Sequence, residues 1–245
     1  MKDTEKKIIV LNGSPRKDNS VTMVATRAFV KGIENASGFG TEYINISELY
    51  IKPCLGCLSC WGRTEGRCVI EGDDIERVKR MILNAHYVVE SFPLYFFGMP
   101  GIMKVFTDRM LCMMNTYTGQ NSHEEGKSVH GIRYENPDRK FVIISSCAYT
   151  ETENVYKPLL SQFDYICGNG NYTAVTVPQL KNLVDAATEE RMNKYLKNIV
   201  DAGEMLVKSG RVDDETLKVL SRPPFSNAVY TKLLNNFWEK ERRGQ

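Results

Sequence analysis

The segment KKIIVLNGSPRKDNSVT, from Lys6 to Thr22, joins a short apolar run to a polar loop and the start of a helix. Residues Lys6 to Ser14 have the length of one buried strand and end in turn-forming residues. From Ser20 to Ala36 the apolar residues recur at helical spacing. A strand that passes through a loop into a helix is the first unit of an α/β fold.

The same alternation of strand and helix runs along most of the chain. Further strands are predicted at Thr41–Ser47, His86–Tyr95, Lys140–Cys147 and Tyr172–Leu180. Further helices are predicted at Asp73–Ala85, Gly101–Met114, Asn154–Cys167, Asp185–Val207 and Ser226–Glu241. This order favours a parallel sheet with helices on both faces, and right-handed crossovers leave few topologies. We therefore predict a flavodoxin-like, doubly wound five-stranded parallel sheet in the order 2-1-3-4-5.

Length and composition predict one α/β domain with a helical C-terminal extension. The flavodoxin-like domain is predicted over residues 1–183 and includes a cysteine-rich loop at 53–72, while residues 184–245 pack on the same domain. The formal net charge is only +2 and the basic residues are scattered, which argues against a nucleic-acid partner. No apolar run has the length of a membrane helix and no signal peptide is visible, so we predict a cytoplasmic protein without a membrane partner.

The loop after the first strand is rich in hydroxyl and basic side chains. It lacks the G-x-G-x-x-G pattern of dinucleotide-binding proteins, and has Ser14, Arg16, Ser20 and Thr22 instead. A helix N-terminus with free N–H groups, nearby hydroxyls and one arginine suits a phosphate group. An ordinary N-cap is the alternative and accounts for Asn19 or Ser20, but not for the rest of the loop.

Two motifs together resemble a known family. GSPRKDNSVT (13–22) and PLYFFGMPGIMKVFTDR (93–109) are similar to motifs of the NAD(P)H-dependent FMN reductase branch of the flavodoxin-like superfamily, and the likeness covers roughly residues 6–180. The resemblance implies one FMN per subunit and NAD(P)H as co-substrate. It implies that the FMN phosphate is held by Ser14, Arg16, Ser20 and Thr22. It also implies that the isoalloxazine ring lies along Pro93, Leu94, Tyr95, Phe96 and Phe97.

The residues of the second motif agree with a ligand site. Three consecutive aromatic residues cannot all face one core from a strand, because side chains alternate, so at least one should face solvent or a ligand. The fourth predicted strand ends nearby, and the candidates for the flavin edge there are Ser145, Ser146, Cys147 and Tyr149. We expect Cys147 to fill space rather than react. Asp108 and Arg109, a pair that the family often has, are expected to form a surface ion pair or a subunit contact.

The sequence CLGCLSCWGRTEGRC holds four of the seven cysteines, Cys54, Cys57, Cys60 and Cys68. A disulfide is disfavoured in a reducing cytosol. Zinc sites usually pair two C-x2-C units across a longer gap, whereas three sulfurs from one coil resemble ferredoxin-type cluster ligation. The motif also resembles that of the iron–sulfur flavoproteins, which implies a [4Fe–4S] cluster. Zinc and unligated thiols remain open alternatives.

The segment from Thr116 to Arg139 is a long polar loop, which is typical of a lid, a partner contact or disorder. It contains His123 and His130, which we expect to be solvated rather than to bind a ligand. The resemblance implies an oligomer, a homodimer or a homotetramer, in which the cluster of one subunit lies near the flavin of another.

Three functional hypotheses follow. The first is an FMN-dependent oxidoreductase that takes electrons from NAD(P)H or a reduced, ferredoxin-type carrier and passes them through a [4Fe–4S] cluster. The second is a cluster-free NAD(P)H-dependent reductase of quinones, azo or nitro compounds, or free flavin. The third is a non-catalytic flavin electron carrier or redox sensor. No acid or base catalyst is evident from the residues, and flavin chemistry needs none.

Overall fold

The computed structural model describes residues 7–116 and 130–244, in which strands and helices alternate. The strands are β1 (Lys7–Asn12), β2 (Gly40–Asn45), β3 (Tyr87–Pro93), β4 (Lys140–Cys147) and β5 (Tyr172–Pro178). The helices are α1 (Val21–Ser37), α2 (Ile75–Leu83), α3 (Gly101–Arg109), α4 (Glu153–Cys167), α5 (Leu180–Ala186), α6 (Glu189–Ser209), α7 (Asp214–Leu220) and α8 (Asn227–Arg243).

The five strands form one parallel sheet in the order β2-β1-β3-β4-β5. The pairings β1–β2, β1–β3, β3–β4 and β4–β5 are all parallel. The order reverses direction between β1 and β3, which is the switch point where doubly wound sheets bind ligands. The predicted flavodoxin-like topology is confirmed.

Side chains alternate across the sheet and supply two separate cores. Ile8 and Val10 face a core that includes α1, α5 and α6. Ile9 and Leu11 face the opposite core, which includes α2, α3 and α4. Strands that are buried on both faces read as continuous apolar runs, which is why β1 has no polar–apolar alternation in the sequence.

Helix α6, in the C-terminal part of the chain, crosses α1 at two glycines. A Cβ atom on Gly32 would lie 2.0 Å from the Val200 carbonyl oxygen, and one on Gly203 would lie 2.1 Å from the Phe29 carbonyl oxygen. Both neighbours are backbone atoms, so no rotamer change makes room for a methyl group. The absence of side chains at these positions sets the distance between α1 and α6.

The helix predictions for the C-terminal third were incomplete. The prediction had two helices after β5, but the structure has four, because α5 and α7 contain only seven residues each. A seven-residue helix has about two turns, too few to show a helical period. The helix predicted over Gly101–Met114 ends at Arg109 and continues as a 3₁₀ turn at Met110–Met113.

Within the described ranges, no helix combines the length and the apolar character that crossing a bilayer would require. His123 and most of the long polar loop lie outside those ranges.

The glycine contact predicts a severe effect of Gly203→Ala. The added methyl group meets the Phe29 carbonyl oxygen and should lower the free energy of unfolding by about 1–3 kcal/mol or more. Urea denaturation monitored by circular dichroism measures the change. Gly101→Ala, where a Cβ meets nothing within 4 Å, is the matched control and should be neutral or slightly stabilising. Equal urea midpoints for Gly203→Ala and Gly101→Ala would contradict the claim that α1 and α6 leave no room for a methyl group at position 203.

Candidate functional site at the carboxyl edge of the sheet

The parallel register brings the ends of β1, β3 and β4 to one edge. Asn12 pairs with Ser91, and Pro93 pairs with Ser146. The ladder continues beyond Pro93, since the Leu94 N–H donates to the Ser146 carbonyl at 2.9 Å. The loops that follow these strands therefore leave the sheet side by side, as predicted for the two sequence motifs.

The loop after β1 presents polar groups at the start of α1. The Ser14 N–H donates to Asn12 Oδ1 at 3.0 Å, and the Arg16 N–H donates to Ser14 Oγ at 3.3 Å. Ser20 is the N-cap residue of α1, but its side chain makes no capping hydrogen bond. The alternative interpretation, that Ser20 is present as an ordinary helix N-cap, therefore does not account for its hydroxyl. Arg16 is exposed, so its guanidinium is accessible to an anion at the helix N-terminus.

Thr22 has a contact that the sequence did not reveal. Its hydroxyl lies 2.7 Å from the Ser146 hydroxyl, which links α1 to the end of β4. Two hydroxyls that share one hydrogen bond leave one O–H proton for a third partner. Ser145, the adjacent residue, faces the opposite side of the sheet, where its hydroxyl meets the Tyr156 hydroxyl at 3.2 Å. Of the predicted flavin-edge serines, only Ser146 has its side chain towards α1.

The loop after β3 forms a tight turn with two aromatic residues at its tip. Tyr95 and Gly98 exchange two backbone hydrogen bonds of 2.9 Å. Phe96 and Phe97 lie between them with φ of 46° and 62°. Left-handed backbone is unfavourable for residues with a side chain, by roughly 1–2 kcal/mol each, and such strain clusters at functional sites.

The rings of this turn are displayed rather than buried. Phe96 is 100% exposed, and the Phe97 ring stacks on the Tyr149 ring at 5.7 Å between centroids. Tyr149 belongs to the loop after β4, so two neighbouring loops present aromatic faces together. The prediction that at least one of the three consecutive aromatics leaves the core is confirmed.

Cys147 is buried at the end of β4 and packs in the core of α2, α3 and α4. Burial raises the pKa of its thiol, so the nucleophilic thiolate is disfavoured. This environment agrees with a space-filling role. Its carbonyl accepts from the Gln179 N–H at 2.8 Å, which joins β4 to the residue before α5.

The cysteine loop lies between β2 and α2. Burial raises the pKa of the Cys60 thiol, and negative charge at Cys68, Cys54 and Cys57 raises it further. A hydrogen bond with Ser59 lowers the pKa of the exposed Cys57 thiol. Among the described residues, no group of three or more His, Cys, Asp or Glu is arranged to hold a metal ion. The loop contains all four predicted cysteines, two of them with a shifted pKa.

Arg109 corrects the expectation of a surface ion pair with Asp108. Its side chain is fully buried and pairs with Asp73, with Nη1 2.5 Å from Oδ2. Asp73 lies two residues before the first residue of α2. Burial opposes a lower pKa for its carboxyl, but the Arg109 guanidinium and other hydrogen bonds outweigh it and lower the pKa. Asp108 does form a surface pair, with Lys104 one turn earlier at 2.5 Å.

A second buried cation, Lys79 of α2, also holds the cysteine loop. Its ammonium donates to the Gly66 carbonyl at 2.9 Å and pairs with Glu76 at 2.8 Å. The Tyr134 hydroxyl donates to the same carbonyl at 3.3 Å. Gly66 has φ of 73°, and a Cβ there would lie 2.3 Å from the Tyr134 hydroxyl, so only glycine fits.

Aromatic residues cover another side of the loop. Trp61 donates from its indole nitrogen to the Leu111 carbonyl at 3.2 Å, and the His130 ring packs on it at 4.7 Å between centroids. His130 is half-buried against Trp61 rather than fully solvated. Trp61 therefore anchors the loop to the 3₁₀ turn after α3.

The sequence analysis missed the burial of Lys79 and the inward direction of Arg109, although the helical spacing of both residues indicates it. Lys79 is four residues after Ile75 and three before Ile82, on the apolar face of α2. Arg109 is three residues after Phe106, on the apolar face of α3. A charged residue at an apolar position of a helix indicates a buried, paired cation.

A cavity of about 1350 Å³ lies apart from the carboxyl edge, with Glu90, Phe106 and Cys167 among its lining residues. Burial raises the pKa of the Glu90 carboxyl to about 7, and its Oε2 has no hydrogen-bond partner in the described part of the chain. The lining includes no residue of the loop 13–20 or of the turn 95–98. The chemistry of the edge residues, not cavity size, therefore locates the candidate site.

The fold and the edge loops define a flavodoxin-like α/β protein with its candidate site at the switch point of the sheet. Residues 6–134 match the family model described as NADPH-dependent FMN reductase, and the chain belongs to that family.

Relatives match part of the chain, and a solved structure shares its fold. An iron–sulfur flavoprotein of Clostridioides difficile is 34% identical over 108 residues, 44% of this chain and 47% of that protein. An iron–sulfur flavoprotein of Archaeoglobus fulgidus is 36% identical over 105 residues, which are 43% of this chain and 46% of that protein. The chain thus spans about half the length of these relatives. An FMN-dependent NADH-azoreductase from Bacillus anthracis superposes with a TM-score of 0.54 at 16% identity, covering 85% of this chain and 100% of that one, and shows the fold alone.

The strained turn predicts opposite effects of Phe96→Asn on stability and on binding. Asparagine tolerates left-handed backbone, so the flavin-free protein should gain up to about 1 kcal/mol of unfolding free energy. Loss of the exposed ring should weaken FMN binding at the same time. Chemical denaturation and flavin fluorescence titration measure the two effects.

Phe96→Leu is the matched control, because it removes the ring but keeps the strain. It should weaken FMN binding without the gain in stability. An asparagine variant that binds FMN as tightly as the parent protein would show that the ring has no role in binding.

Proposed function

We propose that the protein is an FMN-dependent oxidoreductase that takes electrons from NAD(P)H. The observation that carries this proposal is the Tyr95–Gly98 turn, which holds two aromatic side chains in unfavourable backbone conformations at the carboxyl edge of the sheet. Such strain serves no purpose in packing, since Phe96 touches no core. It is explained if the turn is shaped for a flat aromatic ligand.

The loop after β1 would hold the FMN phosphate. The Ser20 hydroxyl, which makes no capping hydrogen bond, and the N–H groups at the start of α1 would be donors to the phosphate. Arg16 adds a positive charge, and its N–H donates to the Ser14 hydroxyl of the same loop at 3.3 Å. The hydroxyl pair of Thr22 and Ser146 offers one further proton and fixes the distance from this loop to the β4 end.

The turn after β3 would hold the ring end of the cofactor. Pro93 and Leu94 continue the strand ladder and fix where the turn begins, while the rings of Phe97 and Tyr149 exclude water from one side. FMN, when bound, supplies hydride and single-electron chemistry. The side chains of the chain bind and orient it, and none of them needs to move a proton.

Reduction by a nicotinamide tests the proposal directly. Protein loaded with FMN is mixed rapidly with NADH or NADPH without oxygen, and the flavin absorbance is followed. Prompt bleaching by either nucleotide is expected from a reductase. Bleaching only by a reduced ferredoxin would instead support the electron-carrier hypothesis, and failure to take up FMN at all would refute both.

Arg16→Ala tests the phosphate end. Loss of a charged hydrogen bond of about 1.5–3 kcal/mol should weaken FMN binding about 10–100-fold. Lys31→Ala removes an exposed cation from α1, the helix that follows this loop, and should leave the dissociation constant unchanged. Fluorescence titration measures both variants, and equal affinities would place the phosphate elsewhere.

We further propose that Cys54, Cys57, Cys60 and Cys68 ligate a [4Fe–4S] cluster. The donor set suits it, because such clusters are held by four thiolates and three of these come from one tight coil. The relatives that carry the name iron–sulfur flavoprotein support the assignment.

Cys57→Ala tests the cluster. Its side chain is exposed, so the substitution should leave folding intact while iron, sulfide and the brown absorbance are lost and flavin is retained. Iron and flavin are counted on protein purified without oxygen. Cys167→Ala, outside the loop, is the matched control and should keep its iron. Unchanged iron in the Cys57 variant would refute the ligand assignment, and an iron-free parent protein would support the cluster-free reductase.

A further inference from the structure

Arg109 joins the two ends of the cysteine loop from within the core. Its Nη1 donates to the Lys52 carbonyl at 2.6 Å, and its Nη2 lies 3.4 Å from the Ile70 carbonyl. Lys52 is two residues before Cys54, and Ile70 is two residues after Cys68. One guanidinium therefore holds both flanks of the four-cysteine segment.

The third nitrogen of the same guanidinium, Nε, is buried and has no hydrogen-bond partner among the described residues. A buried N–H without an acceptor is unfavourable, because it has lost its hydrogen bond to water. A neutral thiol is a weak acceptor, whereas a thiolate forms a strong, charge-assisted hydrogen bond.

We propose that Arg109 is a positioning residue for the cysteine site: its guanidinium fixes both flanks of the four-cysteine segment, and its buried Nε–H donates to a sulfur of that segment when the sulfur is a cluster ligand. This inference rests on the proposed cluster. The guanidinium then has a partner for every donor direction: backbone carbonyls at the two flanks, Asp73, and the ligand sulfur. Hydrogen bonds to ligand sulfurs stabilise the ligated state and shift its potential.

Charge gives the direction of that shift. Reduction adds an electron to the cluster, so a nearby cation favours the reduced state and a nearby anion disfavours it. Asp73 neutralises part of the Arg109 charge, since the two side chains pair at 2.5 Å inside the protein. Removal of the carboxylate alone should raise the reduction potential, and removal of both groups should lower it again.

The test compares Asp73→Asn with the double variant Asp73→Asn/Arg109→Met. Arg109→Met alone would leave a buried carboxylate without its cation, so both groups are removed together. In Asp73→Asn the guanidinium loses its counter-charge but keeps the Lys52 and Ile70 carbonyls as acceptors. Lys104→Met removes a surface cation from the same helix and is the control. Stoichiometric FMN binding reports that each variant is folded.

We expect Asp73→Asn and Lys104→Met to keep their iron, and the double variant to bind the cluster about 10–100-fold more weakly. The potential, measured by anaerobic redox titration, should be higher in Asp73→Asn than in the parent protein and lower in the double variant than in Asp73→Asn. Equal iron content and equal potential in these two variants would overturn the role of Arg109.

Amide hydrogen exchange of the iron-free proteins separates this inference from the cluster proposal. The N–H groups of Thr64 and Gly66 are bonded within the loop to the carbonyls of Ser59 and Cys60. Their exchange should be faster in the double variant than in Asp73→Asn, because the loop flanks are released. If the parent protein holds no iron, the cluster proposal fails while faster exchange still supports positioning by Arg109. Equal exchange refutes the positioning role.

Discussion

Parallel pairing of β1, β3 and β4 is the constraint on which the candidate site depends. Because parallel strands all end at one edge, the loop after Asn12, the turn after Pro93 and the loop after Cys147 emerge together, although they are far apart in sequence. The hydroxyl contact between Thr22 and Ser146 then fixes α1 to this edge. Neither motif would form a site without that register.

The cysteine loop is fixed by a different principle, since it lies outside the sheet. Buried cations from two helices reach the backbone carbonyls of the loop, Arg109 at its flanks and Lys79 at Gly66. Each cation also has its own carboxylate, Asp73 or Glu76, so neither charge is left uncompensated. A segment with little regular structure thereby acquires a defined shape from neighbouring helices.

The sequence predicted the sheet because strand and helix alternate strongly and few topologies fit that alternation. It predicted the edge loops through the two motifs. It did not predict which face of the sheet the Ser145 side chain is on, because that depends on which residue of β4 begins the alternation of side chains between the two faces. The inward direction of Arg109 was misjudged because Asp108 offered a nearer partner in sequence. Subunit number, cellular location and cluster content stay predictions, because none of them is a property of one chain's packing.

The close contact of Gly32 with Gly203 has a consequence for comparing sequences. Helix spacing at this crossing is set by two residues more than 150 positions apart, and each contacts the backbone of the opposite helix. In a homologue, a larger residue at either place requires the helices to separate, which also changes what fits at the other. The residues at positions 32 and 203 should therefore vary together among homologues. A homologue with side chains at both positions would have α6 packed against α1 in a different geometry.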